Sequence, residues 1–459
     1  MLAHRYMNTL PHRTRRTTLA ALLLAATTVA PHSDAAENVS ADVRALREQI
    51  AALDQQLRVL ERKQELRDEE NAAAAARVPV VAAAASGFSI TSGDKRFNLR
   101  LRGNVHADAR FFIGDDIAGN DQFLLRRVRP SLEGTVAEKY SFRIMPDFAG
   151  SSFTLLDAYG SYKHSDALNI LVGKTKAPFD FERLVSQTDL LFVERAYPTT
   201  LGPNRDIGVQ VFGDLAGGRL SYQAAWLNGT ADNASSVTDD ADDKDLVLRL
   251  FAHPFKDDAD SAWKGLGFGV AVSKGTRTGT PAGYRTNAQQ TFFSWRSGAV
   301  SDGSHTRVEP QAYYYRGPLG LIGSWVSSRQ DIVLGTSSAE LTNTAWYLAA
   351  HWVLTGEDAT YRGVTPRNSF SWKDGTWGAW EIAARIGELS IDDDAFPVFA
   401  NPATSASKVR GYTLGVNWYL NRNLKGTLNF EHSDFTGGAS GAVTREDENA
   451  ILSRLQIRF

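Results

Sequence analysis

The sequence predicts an all-β chain: a transmembrane antiparallel β-barrel of about sixteen strands, with eighteen as the alternative, preceded by a short N-terminal coiled-coil helix. Three observations lead there. From Phe97 onward apolar and polar residues alternate with period two, in runs longer and more charged than the strands of a soluble sandwich. After the N-terminus no apolar run reaches the ~18 residues that a membrane-crossing helix needs. The final segment, residues 451–459, alternates Ile451, Leu455, Ile457 and Phe459 with Arg454, Gln456 and Arg458, and closes on an aromatic ring.

The chain begins with a leader. Arg13, Arg15 and Arg16 precede the apolar run 19–30, and small residues follow at Ser33, Ala35 and Ala36. That is the pattern of a cleaved secretory signal, residues 1–35, with an apolar run too short to span a bilayer. Arg15-Arg16 also fits a twin-arginine signal, but a barrel precursor travels unfolded, which favours the general secretory route. Loss of four arginines and one aspartate takes the net charge from −2 to about −5, so any anion preference must come from where charges sit. The absence of cysteine suits passage through an oxidising compartment.

Residues 36–70 form the predicted oligomerisation helix. Val39, Val43, Leu46, Ile50, Leu53, Leu57 and Leu60 recur at alternating spacings of four and three, an a/d seam with Arg44, Arg47, Glu48, Arg58, Glu61 and Arg62 beside it. So narrow a stripe predicts self-association; the plainer alternative is an amphipathic helix lying on the barrel rim. The Ala-rich stretch 71–87 is read as a linker, and 88–459 as the barrel.

In the barrel the usual inside-out order is inverted. Phe97, Leu99, Leu101, Val105, Ala107, Ala109 and Phe111 alternate with Asn98, Arg100, Arg102, Asn104, His106, Asp108 and Arg110. One greasy face and one charged face fit lipid outside and water inside, and closure leaves no unpaired edge in lipid. The same inversion recurs at 127–132, 140–145, 412–420 and 424–431, with Trp352, Trp380, Trp418 and Tyr412 placed for aromatic girdles. About seventeen alternating segments can be counted. An even number is required with both ends on one side, and the surplus lies where turns are hardest to place, within 288–330.

One connection stands out, from Gly173 to Gly208. It exceeds the ~12–15 residues of an unstructured loop and carries apolar groups to bury (Phe179, Phe181, Leu190, Leu191, Phe192, Val193) together with Lys174, Lys176, Arg183, Arg195 and Arg205. A packed, cation-bearing loop suggests a constriction, residues 174–208; a basic surface lid is the bland alternative. Arg100, Arg102, Arg110, Arg127, Arg129 and Arg143 share the polar face of neighbouring strands. With the loop cations they can line a pore wall, since tracks of Arg and Lys select anions and the planar guanidinium fork suits phosphate. At most one of Lys174 and Lys176 is expected to face the pore. The opposing reading is structural: Asp108, Glu133, Asp147, Asp157, Asp180, Glu182, Glu194 and Asp206 lie close enough in sequence to pair with these cations and brace the wall.

The motif GKTKAPFDFERL at 173–184, with ER at 194–195 and PNRDIG at 203–208, resembles the phosphate-selective porin O and P family. So do RRVRPSLEG at 126–134, LTGE at 354–357, GAWEIAAR at 378–385 and GYTLGVNWYLN at 411–421. The resemblance spans most of 95–459. It implies a homotrimeric channel in the outer membrane of a Gram-negative bacterium, whose third external loop folds inward. It also implies passive diffusion of small anions, inorganic phosphate or polyphosphate, with no cofactor and no nucleic-acid partner; lipid and lipopolysaccharide surround the barrel.

Other functions are weighed against this. Clusters at 232–245 and 392–394 read as solvated acidic loops, or as sites for divalent cations that bridge lipopolysaccharide. His164-Ser165 and His432-Ser433 lack the context of a barrel phospholipase, and no HExxH, Cys-based metal site or phosphate-binding glycine loop occurs, so the chain is not read as an enzyme. A sugar porin would need an aromatic slide, for which Tyr313, Tyr314, Tyr315, Tyr159 and Tyr162 are candidates. A tether between outer membrane and cell wall would need a longer helix or a wall-binding domain.

Overall fold

The computed structural model describes residues 33–75, 77–114, 119–150, 152–236, 242–441 and 443–459, with side chains from residue 41 onward. The predicted leader up to residue 32 lies outside them. The chain divides into two units, residues 1–74 and 75–459.

The first unit is the helix α1, Ser33–Ala75. It is bordered by i,i+4 and i,i+3 ion pairs, Arg58–Asp54 and Arg62–Glu65, both at 2.9 Å. Leu46, Ile50, Leu53, Leu57 and Leu60 are all more than half exposed along its seam. A single helix gains nothing from a wet leucine stripe, so its apolar face is available to other copies. The helix outruns the predicted 36–70. The 71–87 stretch is accordingly not a simple linker: it holds the last helical turn and most of a hairpin, Val80–Ala84 paired with Gly87–Thr91. Gly87 turns it at φ +104°, with Leu101 O only 2.5 Å from where a Cβ would stand.

The second unit is a closed antiparallel barrel of sixteen strands. They are β1 (Asn98–Phe112), β2 (Gln122–Val136), β3 (Tyr140–Asp147), β4 (Thr154–Ser165), β5 (Leu168–Lys176), β6 (Arg205–Leu215), β7 (Leu220–Leu227) and β8 (Asp245–Ala252). β9 (Leu266–Gly279), β10 (Val300–Arg316), β11 (Leu319–Leu334), β12 (Ser337–Val353), β13 (Ala379–Ser390), β14 (Ala406–Tyr419), β15 (Leu424–Ala439) and β16 (Glu448–Arg458) complete the ring. Closure is β16 on β1, from Ala450 opposite Phe112 to Arg458 opposite Asn104. Phe459 finishes the seam: its backbone exchanges bonds of 2.9 and 3.0 Å with Gly103, and its ring covers the space a Cβ of Gly103 would need. The surplus segment of the sequence count is a minor ladder, Tyr284–Arg285 with Thr291–Phe293, inside the connection 280–299.

The two faces are inverted as the alternation requires. Leu348, Trp352, Ile382, Leu414, Leu428, Phe430, Leu455 and Ile457 are exposed outside, while Asn343, Arg385, Thr413, Asn417, Asn429, Glu431 and Gln456 are buried inside. Both termini leave from one rim, where the connections at 137–139, 166–167, 216–219, 317–318 and 420–423 are short. The connections 177–204, 228–244, 280–299 and 391–405 rise from the other rim.

Candidate functional site

The 177–204 loop crosses the lumen. Phe179, Val193 and Leu201 are fully buried, and Phe181, Leu190, Phe192 and Tyr197 nearly so. Its α-helical turn, Phe181–Leu184, begins after Asp180 at φ 63°, and a 3-10 turn follows at Tyr197–Leu201. The Glu309 carboxylate of β10 accepts the Asp180 N–H at 2.7 Å and the Phe181 N–H at 3.2 Å, satisfying donors that a helix start leaves free. Farther on, the loop is fastened to the opposite wall. Lys425 Nζ donates to Leu190 O (2.8 Å) and Asn417 Nδ2 to Leu191 O (2.9 Å). Val193 N donates to Asn429 Oδ1 (2.7 Å), Arg454 to Val193 O (2.7 Å) and Arg385 to Glu194 O (2.9 Å).

Among the predicted cations the structure separates two groups. Arg110 and Arg127 are buried near the loop carboxylate of Glu194, at 2.9 and 3.9 Å. Arg126 joins them, although period-two alternation would send it outward. A β-bulge, where His106 opposes Arg127 but Ala107 opposes Leu125, inserts Arg126 as the extra residue and turns it inward. Its guanidinium meets Glu194 at 2.6 and 3.2 Å. Arg454, also absent from the predicted set, forks onto Asp108 at 2.8 and 2.7 Å. Burial pushes the Glu194 carboxyl upward, but Arg126 and Arg127 overcome this and hold it well below the usual carboxylate range.

The second group meets at the terminal rim. A cavity of about 650 Å³ is lined by Arg102, Arg129, Arg143, Arg422 and Arg458, against the carboxylates Glu133 and Asp189. Asn104, Ser131, Gln187 and Thr188 supply further polar groups. Several of these arginines are engaged: Arg129 with Asp147 at 2.7 Å, Arg143 with Asp157 at 3.4 Å and Glu133 at 3.6 Å, and Arg458 with Asp189 at 2.6 Å. Arg143 and Arg458 keep about a third of their side-chain surface open, and Arg102 more. Arg100, farther along β1, is exposed.

The remaining loop cations are engaged by the protein's own acceptors and carboxylates. Arg183 donates to Thr199 O and Asn233 Oδ1, both at 2.8 Å, and burial pushes it down to about 9. Arg195 donates to Glu182 O at 3.0 Å, and Arg205 to Asp157 at 2.8 Å. Lys176 donates to Val185 O at 3.1 Å, while Lys174, paired with Ala158 and Ile207, sits among Arg205, Asp206 and Asp157. These residues and the vestibule are not one continuous line of free cations.

Two expectations are corrected. Asp232 and Asp245 are not solvated: Asp232 is bound by Arg307 at 2.8 Å and Asp245 by Arg277, and all four are buried. Residues 237–241 of that stretch lie outside the described residues. The tyrosines do not form one slide either. Tyr313 and Tyr315 knot with Phe181, Phe251 and Tyr361, whereas Tyr314 bonds Ala262 O beside Trp263 and Tyr162 packs on Tyr140. Tyr361 comes from the long connection 354–378 of the terminal rim, so the knot joins segments entering from both rims.

Comparison with known proteins places these features. The family described as phosphate-selective porin O and P matches residues 99–459. Porin O of Pseudomonas aeruginosa is 24% identical over 426 residues, 81% of this chain and 91% of that protein. Among solved structures, the outer membrane channel DcaP of Acinetobacter baumannii aligns over 82% of this chain and 100% of its own, with TM-score 0.54 and 14% identity. OmpT, an outer membrane protein of Vibrio cholerae, aligns over 79% and 98%, with TM-score 0.50 and 10% identity.

Proposed function

The chain belongs to the phosphate-selective porin O and P family and is an outer-membrane porin, and from that premise we propose that it passes small anions, phosphate or polyphosphate foremost, by passive diffusion. The terminal rim is then periplasmic, and the 177–204 loop is the third external loop. The observation that carries this reading is the vestibule, where five guanidinium groups face one cavity against two carboxylates. Paired planar donors suit phosphate oxygens, and several part-engaged sites let an ion exchange partners without being trapped. The close packing of Phe181 and Tyr313, with ring centroids 5.5 Å apart, supports this reading over a sugar channel with an open aromatic path.

The test is reversal potential in a planar bilayer under a KCl gradient, followed by titration with phosphate. An anion-selective potential with current blocked by phosphate supports the proposal. Cation selectivity without block would leave a general porin whose arginines brace the wall, a reading favoured by the Arg129–Asp147 and Arg205–Asp157 pairs. Replacing Arg102, Arg143 and Arg458 together by Gln is expected to lower the anion-to-cation permeability ratio severalfold while trimers still assemble. An unchanged ratio would remove the vestibule from the permeation path.

We assign the exposed leucine seam of α1 to trimer formation. Leu53→Asp, in the middle of that seam, is expected to lower the temperature at which trimers dissociate on SDS gels. Conductance should hold, because Leu53 lies outside the barrel unit. Equal melting of mutant and wild type would favour a helix that does not self-associate.

A further inference from the structure

Glu194 is surrounded as a bound anion would be. Its side chain is 4% exposed, and guanidinium groups from three strands converge on it. Oε1 accepts from Arg126 at 2.6 Å and Arg110 at 2.9 Å, with Arg454 at 3.9 Å; Oε2 accepts from Arg126 at 3.2 Å, with Arg127 at 3.9 Å. Asp108, held by Arg454, is the other carboxylate of the cluster. Among the described residues, these four cations therefore form their ion pairs within the cluster with two carboxylates. Donors are also in excess, because among the described residues the buried Arg110 Nε and Arg127 Nε have no hydrogen-bond acceptor. A carboxylate offers one charge and two oxygens. A tetrahedral oxyanion offers up to two charges and four oxygens, a closer match to what the cluster presents.

We propose that Arg110, Arg126, Arg127 and Arg454 form an oxyanion site whose resident occupant is Glu194, a competing ligand tethered on the 177–204 loop. This rests on the anion-channel reading and deepens it by naming what regulates the lumen at that level. A tethered group competes at an effective concentration of the order of millimolar. Free phosphate must displace it, so binding is weak and release is fast, as throughput requires. Loop attachments independent of the carboxylate, Asn429 to Val193 N and Arg385 to Glu194 O, keep the tether in place when the side chain yields.

The experiment is phosphate binding to detergent-solubilised trimers by titration calorimetry, for wild type, Glu194→Ala and Glu194→Gln, alongside reversal potentials of each. Expected is phosphate affinity at least about tenfold tighter in Glu194→Ala than in wild type, with sulfate competing and a more anion-selective potential. If the variants fold only when phosphate or sulfate is present during refolding, the oxyanion is replacing the lost carboxylate, which also supports the site. Folded variants with wild-type phosphate affinity overturn it, as does failure of both to fold even with phosphate, because Glu194 is then a structural counter-charge alone. The two proposals fail separately. A cation-selective wild type counts against the channel reading, whereas only the difference between variants and wild type counts against the tethered ligand.

Discussion

Arg454→Ala is expected to cost about 3–5 kcal/mol of barrel stability and to unseat the constriction loop. Arg454 is 3% exposed and Asp108 is fully buried, joined by two charge-assisted bonds of 2.8 and 2.7 Å. Removing the guanidinium strands a carboxylate in a low-dielectric surrounding, the costly way to break a buried pair. The same side chain holds Val193 O at 2.7 Å, so the loop loses an anchor on the final strand. The measurement is the midpoint of heat modifiability on SDS gels together with single-channel conductance. The midpoint should drop by several degrees, with larger and noisier currents. Asp108→Asn in the same chain should recover part of the loss, because it removes the stranded charge. A variant that matches wild type in both readouts would show that the pair contributes neither to the wall nor to the loop.

Phe181→Ala should open space in the aromatic knot that fills part of the lumen. Phe181 is 6% exposed and lies 5.5 Å from Tyr313, 6.2 Å from Phe251 and 6.3 Å from Tyr361, centroid to centroid. Truncating so buried a ring costs about 3–5 kcal/mol in well-packed surroundings. Here the cost falls on the contact between the 177–204 loop and the 354–378 segment of the terminal rim, while the strand ladders stay intact. Unit conductance is therefore expected to rise with the melting of the barrel less affected than in Arg454→Ala. Glu309 still caps the helical turn through backbone N–H groups, so the loop keeps its entry point. Unchanged conductance would mean that permeant ions do not pass beside the knot.

The barrel was legible because its signal repeats. Lipid-facing leucines and lumen-facing asparagines alternate strand after strand, and each register reinforces the next. The packing of the 177–204 loop was legible from length and composition, since Phe179, Phe192 and Val193 had to be buried somewhere. Partner choice was another matter. Arg126 escaped notice because one bulge between Leu125 and Arg127 reverses the side it faces, and period two carries no trace of a bulge. Arg454 and Arg385 reach the loop across 261 and 191 positions of chain, distances that no local pattern spans. Asp232 looked like a surface acid for the same reason, its partner Arg307 lying 75 positions away. The loop cations Arg183 and Arg205 carried the right charge for a pore, but charge alone did not tell bracing from lining.

The seat of the constriction also dictates an order of maturation. Thr188, Leu190, Val193 and Glu194 are secured by Gln456, Lys425, Asn429, Arg454 and Arg385, all from the last four strands. A segment synthesised before the middle of the chain thus gains its full set of attachments only when β13–β16 are in place, although Glu309 of β10 holds its start independently of them. Its seating is completed late, since Arg454 and Gln456 lie on the final strand, which also closes the ring on β1.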